Sequence, residues 1–163
     1  MHWQYFDDVA ALVAHESGGL RLEKTLFVRR HTPQGPQLEP VTGPLREGDE
    51  LVTRLVVRND QEFEFVHLKN ARGSGTEPVN VLSGYRWQDG LGYYEVTRDA
   101  ATHLFLDRLP VGTHVFEIAT RIQHAGVDQS GAAEIRCMYA PEFQARSGST
   151  RLEVLPLAAA ADN

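Results

Sequence analysis

Alternation of apolar and polar residues is the feature that most constrains the fold of this chain. Within residues 113–124, Phe116 and Ile118 fall on one face, and Glu117 and Arg121 fall on the other. A period of two is typical of a strand with one buried and one solvated face. Six further runs show the same period, at residues 20–30, 49–59, 62–70, 102–109, 132–139 and 150–157. The sequence therefore predicts about seven strands.

Turn sequences separate these strands. An Asp-Gly pair lies within residues 88–92, Pro110 precedes Gly112 within residues 109–113, and a further turn is predicted at residues 124–131. Glycine accepts positive φ and proline presets a bend, so we expect Gly112 at positive φ. Many strands joined by tight turns are typical of an antiparallel sandwich. The predicted fold class is all-β, an antiparallel β-sandwich of about seven to nine strands.

Two segments depart from the alternation. Residues 32–44 contain four of the eight prolines, and we interpret them as a long surface loop. In residues 77–87, Pro78 suits the first position of one short helix, which would carry Val79 and Leu82 on one side.

Charge and length exclude several classes of protein. Lys and Arg total 16 against 22 Asp and Glu, so the net charge of −6 predicts no nucleic-acid partner. A chain of 163 residues can bury a core without metal or disulfide bonds. No apolar stretch is long enough to insert into a membrane, and residues 1–15 lack the pattern of a signal segment.

The residues that usually carry chemistry do not form a recognised pattern. Cys137 is in phase with Ala133 and Ile135, so we interpret it as a core residue, not as a nucleophile. The histidines show no metal-ligand spacing, no serine lies in G-x-S-x-G, and no phosphate-binding glycine motif occurs. We therefore predict no catalytic, cofactor-binding or metal-binding residues, no cofactor and no enzyme activity.

The densest aromatic cluster surrounds the turn at residues 88–92. It comprises Tyr85, Trp87, Tyr93 and Tyr94. Such rings stack on sugars, anchor a protein interface, or pin a loop to its own domain. The sequence alone does not distinguish these three interpretations of the cluster.

Several segments together resemble a known family. They are FLDRLPVGTHVFE from Phe105, HAG from His124, and MYAPEF from Met138, followed by a Ser-Gly turn and a last strand. In this order they resemble the C-terminal, receptor-binding-like macroglobulin domain of bacterial α2-macroglobulin-like proteins, from about Leu20 to Val154. The resemblance implies a macroglobulin-like or immunoglobulin-like sandwich.

The resemblance also implies a domain organisation. Residues 1–18 would be the exit segment of a preceding domain or a linker, residues 19–157 the macroglobulin-like domain, and residues 158–163 a disordered tail. The parent would be a large exported peptidase inhibitor of the periplasm or cell envelope. Its partners would be other domains of the same chain and, through the parent, target peptidases.

Some family features do not carry over to this sequence. The family's thioester uses a Cys-Gly-Glu-Gln motif, whereas Cys137 is followed by Met138 and Tyr139, so this chain cannot trap a peptidase covalently by itself. Animal relatives use paired lysines for receptor binding, where this segment offers only Arg86. A tyrosine of the terminal domain shields the thioester in some relatives, and Tyr139 is the candidate match.

Two surfaces are therefore candidate interfaces. One contains Tyr139, Glu142 and Phe143 beyond the last part of a strand, although alternation alone would place Tyr139 in the core with Cys137. The other is the aromatic cluster at residues 85–94. Two alternatives remain: a carbohydrate-binding module, which requires the rings of Trp87, Tyr93 and Tyr94 to lie coplanar on a groove, and an immunoglobulin-like adhesin or scaffold domain.

Overall fold

The computed structural model describes residues 15–16, 19–79, 82–88 and 90–157. This part of the chain contains fifteen strands. They are β1 (His15–Glu16), β2 (Leu20–Thr32), β3 (Gly35–Pro40), β4 (Leu45–Arg46), β5 (Glu50–Asn59), β6 (Phe63–Ala71), β7 (Thr76–Pro78), β8 (Gly84–Gln88), β9 (Leu91–Thr97), β10 (Ala101–Leu109), β11 (Gly112–Ile122), β12 (Gly126–Gln129), β13 (Ala133–Cys137), β14 (Gln144–Arg146) and β15 (Arg151–Leu155).

The strands form three sheets in the described part of the chain. The seven-stranded sheet has the order β1-β14-β13-β6-β10-β9-β8, and the five-stranded sheet has the order β3-β2-β5-β11-β7. A smaller sheet has the order β12-β15-β4, in which β15 and β4 run parallel while every other pairing is antiparallel. The prediction of an all-β, antiparallel β-sandwich is confirmed.

The seven predicted strands correspond to β2, β5, β6, β10, β11, β13 and β15. Their apolar positions form the main core between the two large sheets, with fully buried side chains that include Leu20, Leu55, Leu68, Leu104 and Ile135. Each such side chain contributes about 1.5–3 kcal/mol relative to an exposed one. A second cluster, which includes Leu26, Val28, Leu45, Ile122 and Val154, fills the end beside the three-stranded sheet.

The proline-rich segment is not the long loop that the sequence predicted. Residues 35–40 form β3, which pairs with β2 along the edge of the five-stranded sheet. Pro36 and Pro40 are an even number of residues apart, so their backbone nitrogens point to the same edge of β3. That edge can face away from β2, where no N–H donor is needed. An edge strand tolerates prolines that a central strand does not. The predicted turn at residues 124–131 likewise contains a strand, β12.

The short helix expected at residues 77–87 is also wrong in the described part of that segment. Pro78 ends β7, where it pairs with Thr120, and residues 84–88 form β8. Proline fits the end of a short edge strand because a missing donor there breaks no ladder hydrogen bond. Residues 80 and 81 lie outside the described residues.

Gly112 and Lys24 each have an unusual environment in the framework. Gly112 has φ of +141°, as its place after Pro110 predicted. Lys24 extends from β2 across the sandwich, where its Nζ donates to the carbonyl oxygens of Ala71 at 3.2 Å, Ser130 at 3.3 Å and Gly131 at 2.8 Å. Burial lowers the pKa of Lys24 to about 7. The side chain thus ties β2 to β6 and to the segment before β13.

The ends of the chain fall mostly outside the described residues. Of the predicted exit segment, residues 1–18, only β1 is described, and it pairs with β14 through His15 and Arg146. The predicted tail, residues 158–163, is not among the described residues.

Candidate functional site: the exposed aromatic face

The exposed corner at the end of β13 is built by a tight turn. β13 ends at Cys137, and the Ala140 N–H donates to the Cys137 carbonyl at 3.2 Å. The turn reverses the chain before alternation can continue, so Tyr139 leaves the core face. Its side chain is 81% exposed, and the reading that placed Tyr139 in the core is wrong.

Phe65 lies opposite this turn in an uncommon backbone conformation. Its φ is +54°, and it is the one non-glycine residue at positive φ in the described part of the chain. Its carbonyl accepts the Met138 N–H at 2.8 Å. Its ring packs edge-to-face on Tyr139, with ring centroids 5.2 Å apart and an interplanar angle of 83°. Phe65, Met138 and Tyr139 form one exposed apolar cluster, here called the Tyr139 corner.

A kink in β6 and β10 turns Phe65 outward. Phe63 and Val66 are both buried although they are three residues apart, and so are Leu106 and Leu109 on the paired strand. The alternation therefore slips by one residue in both strands at the same place. A positive φ at a bulky residue costs about 1–3 kcal/mol and persists only where the surrounding structure imposes it.

The other residues predicted near Tyr139 have different environments. Phe143 is half-buried against the core, where its ring lies 5.3 Å from that of Phe63. Glu142 is exposed. Cys137 is 3% exposed, and burial, followed by the nearby charge of Glu142, raises the pKa of its thiol. Phe143 is thus an anchor for the turn, and Cys137 is the core residue that the sequence predicted.

A row of rings crosses the outer face of the seven-stranded sheet. Tyr85, Tyr94, Phe105 and His67 are successive cross-strand partners on β8, β9, β10 and β6, and the row continues to Arg136 on β13. Directly opposite residues share a face of the sheet. We call Tyr85, Tyr94, Phe105 and His67 the aromatic row.

The β8–β9 hairpin divides its four aromatic residues between the two faces. Tyr93 turns inward, and its ring packs on the core residue Phe116 with an interplanar angle of 90°. Tyr85 and Tyr94 lie on the outer face, with ring centroids 4.9 Å apart and an interplanar angle of 70°. Trp87 is 78% exposed on the same outer face. The coplanar arrangement of Trp87, Tyr93 and Tyr94 that a carbohydrate-binding module requires is therefore absent.

Two histidines meet beside the aromatic row. His67 Nε2 lies 2.8 Å from His103 Nδ1, and the His67 ring stacks on Phe105 with centroids 4.8 Å apart. Burial lowers the pKa of both histidines. The charges of His103, Arg136 and Lys69 lower the pKa of His67 further, whereas the charge of Glu134 raises it. Local sequence spacing missed this pair because the two residues meet diagonally across β6 and β10. Among the described residues, no cluster of three or more potential metal ligands occurs.

The sequence pattern did contain a signal for Phe65. In residues 63–68, Phe63 and Phe65 alternate in one phase, and Val66 and Leu68 alternate in the other. A change of phase inside an otherwise regular strand indicates a bulge or kink.

The fold and the sequence are similar to those of bacterial macroglobulins. The profile of the family described as "Bacterial Alpha-2-macroglobulin MG10 domain" matches residues 19–142. A crystal structure of a mutant of Salmonella alpha-2-macroglobulin is 17% identical, with a TM-score of 0.67, over 86% of this chain and 9% of that one.

Two structures from Escherichia coli are similar as well. Trypsin-activated alpha-2-macroglobulin is 14% identical, with a TM-score of 0.65, over 86% of this chain and 10% of that one. The native fragment from domain MG7 to the C-terminus is 14% identical, with a TM-score of 0.66, over 86% of this chain and 24% of that one. The chain thus spans only a small part of these relatives.

No curated protein matches the sequence. Within the described residues, no helix has the length and apolar character needed to span a bilayer. The family match covers well over half of the chain, and the sandwich agrees with it. The chain therefore belongs to the bacterial alpha-2-macroglobulin MG10 domain family.

Proposed function

We propose that this chain is the terminal domain of a bacterial α2-macroglobulin-like peptidase inhibitor and that it acts by contact with other domains of its parent, without a catalytic step of its own. The family match and the small share of each relative that the chain covers support a parent of many domains. The proposed domain runs from residue 19 to residue 157. Its support is the start of the family match at residue 19 and the end of β15 at Leu155.

The observation that carries the proposal is the exposure of the Tyr139 corner. Phe65 and Met138 are 41% and 43% exposed, Tyr139 is 81% exposed, and the rings of Phe65 and Tyr139 are in contact. Scattered apolar side chains on a surface are ordinary, but two exposed rings in contact beside a third exposed apolar residue form a patch of the kind that marks interaction sites. A tyrosine ring buries a large area while its hydroxyl keeps a hydrogen bond, which suits it to a contact that is partly wet.

Two contacts within the domain support the corner. The backbone hydrogen bond between Met138 and Phe65 joins the turn to β6, and the Phe65 ring supports the Tyr139 ring. An ordered side chain loses less conformational entropy on binding than a mobile one. The strained φ of Phe65 is consistent with this role because such strain often accompanies functional surfaces.

Ion pairs occur on the outer faces of both large sheets. Arg54 pairs with Glu117 at 2.7 Å on the five-stranded sheet, and Arg136 pairs with Glu134 at 3.8 Å on the seven-stranded sheet. Solvated pairs of this kind contribute little to stability and keep a face in contact with water. The choice of the Tyr139 corner as the docking surface therefore depends on its exposed apolar side chains and not on the charge of either sheet.

The choice of target peptidases, the cellular location and the conformational response are properties of the parent protein. The Escherichia coli relative was crystallised in a trypsin-activated form. By analogy we propose that the parent responds to peptidases and resides in the periplasm or cell envelope. Glu142 would lie at the rim of the contact, and Phe143 would hold the turn in place.

The proposal is tested with Tyr139→Ala in the full-length parent. Peptidase is added, and the conformational response is followed by native gel mobility against the wild type. Val127→Ala, which changes an exposed apolar residue on β12, is the matched control. We expect the Tyr139 variant to change its mobility before or after peptidase addition while the control behaves as wild type. A Tyr139 variant indistinguishable from wild type would contradict the docking role.

A further inference from the structure

A second concave surface lies on the same face of the sheet, on the far side of β10 from the Tyr139 corner. A groove of about 540 Å³ runs beside the β8–β9 hairpin and is lined by Tyr85, Trp87, Tyr94, Phe105 and Asp107 among others. It extends over β8, β9 and β10, whereas the Tyr139 corner is formed by β6 and by the turn after β13. Nothing in the proposed docking of Tyr139 uses this groove.

The walls of the groove are aromatic. The rings of Tyr85 and Tyr94 meet at 70° and form a corner, and Tyr85 is 77% exposed. The six-membered ring of Trp87 occupies the space above Gly92, where any Cβ would lie 2.9 Å from it. Glycine at this position is therefore what allows the indole to lie against β9. The groove presents the faces and edges of several rings together.

The same groove contains the carboxylate of Asp107. Asp107 follows Phe105 on β10, at the kink where both Asp107 and Arg108 turn outward. Arg108 also lines the groove, but its charge is compensated by Glu62, to which its Nε and Nη2 donate at 2.7 and 3.0 Å. Among the described residues, no Lys, Arg or His side chain forms an ion pair with Asp107.

We propose that this groove binds an arginine side chain of a partner polypeptide. A cation is attracted to the face of an aromatic ring, and the planar guanidinium both stacks on such a face and donates two parallel hydrogen bonds to a carboxylate. Trp87, Tyr85 and Tyr94 supply the rings, and Asp107 supplies the acceptor. Lysine fits less well because its ammonium is compact and strongly hydrated.

The binding is tested on the isolated 163-residue chain with small probes. Nα-acetyl-L-arginine methylamide is titrated while the indole N–H resonance of Trp87, identified by its loss in Trp87→Phe, is followed by NMR. Nα-acetyl-L-citrulline methylamide has nearly the same shape without the charge. We expect a Kd about tenfold lower for the arginine probe than for the citrulline probe, because only arginine forms the charged contacts.

Two variants locate the charge that is responsible. Asp107→Asn should remove the preference for arginine over citrulline. Glu153→Gln removes one negative charge from β15 in the three-stranded sheet and should leave the preference unchanged. Thermal melting of both variants checks that the fold is intact.

Three results would overturn the proposal. They are equal affinities for the arginine and citrulline probes, an Asp107→Asn variant that keeps the preference, and a Glu153→Gln variant that loses as much of it. A lysine probe that binds as tightly as the arginine probe would overturn the assignment to guanidinium. Because the parent protein is absent from these measurements, their failure is separate from failure of the Tyr139 proposal.

Discussion

The ring of Phe65 lies edge-to-face on the ring of Tyr139, with the two centroids 5.2 Å apart. Phe65 belongs to β6, and Tyr139 belongs to the turn after β13. The contact therefore joins a kink in one strand to the reversal that follows its neighbour. The kink and the turn together present an apolar corner on the surface of the sandwich.

The exposure of Tyr139 predicts a small effect on stability. Tyr139→Ala should lower the free energy of unfolding of the isolated chain by about 1 kcal/mol or less, because only the pair with Phe65 is lost. Ile135→Ala on β13 removes a fully buried side chain and should cost about 2–5 kcal/mol. Urea unfolding measures both. A loss for Tyr139→Ala as large as that for Ile135→Ala would show that the ring belongs to the core.

The positive φ of Phe65 predicts an order among substitutions. Phe65→Gly removes the ring but accepts the backbone conformation, whereas Phe65→Val also loses the ring and places a β-branched residue at positive φ. We expect Phe65→Val to be less stable than Phe65→Gly by about 1–3 kcal/mol in urea unfolding. Equal stabilities would mean that the backbone at residue 65 is not strained.

Gly112 provides a purely conformational test. A Cβ at Gly112 would meet no atom within 4 Å, so Gly112→Ala should cost about 1 kcal/mol through its φ of +141° alone. Gly43→Ala is the matched control, since its surroundings are equally open and its φ is not in the positive range. An unchanged urea midpoint for Gly112→Ala would show that the turn relaxes to another conformation.

Lys24 predicts a dependence of stability on pH. Burial lowers its pKa to about 7 from 10.5, so between these pH values the unfolded chain holds a proton that the folded chain releases more readily. Stability should then rise with pH over this range, by up to about 1.4 kcal/mol per pH unit, relative to Lys24→Met. Urea unfolding at several pH values compares the two proteins. Parallel pH profiles would contradict the lowered pKa.

The long strands were predictable because each buries one face. Runs such as residues 113–122 contain enough alternation to be recognised without knowing their partners. The short strands β4, β7, β12 and β14 have two to four residues each, which is too few to establish a period. Their pairing is decided by the neighbouring strands. β3 was missed because its prolines disfavour a strand everywhere except at an edge.

The candidate site was predicted only in part. Tyr139 and the aromatic hairpin were recognised by residue type and position. For Tyr139, however, alternation predicted a core position, whereas its place near the end of a strand predicted a surface position. The turn at Cys137 decides that question, and it depends on a hydrogen bond to β6. The meeting of His67 with His103 requires the register between two strands, which local spacing does not contain.

The central claim is that the Tyr139 corner contacts another domain in the parent protein. Hydroxyl-radical footprinting with mass spectrometry measures this directly, because Phe65, Met138 and Tyr139 are all exposed in the isolated chain and all carry side chains that radicals oxidise. Val127 on β12 provides an internal control. The account predicts that oxidation of the three corner residues falls in the full-length parent while that of Val127 does not change. Equal oxidation of the corner in the isolated chain and in the parent would contradict it.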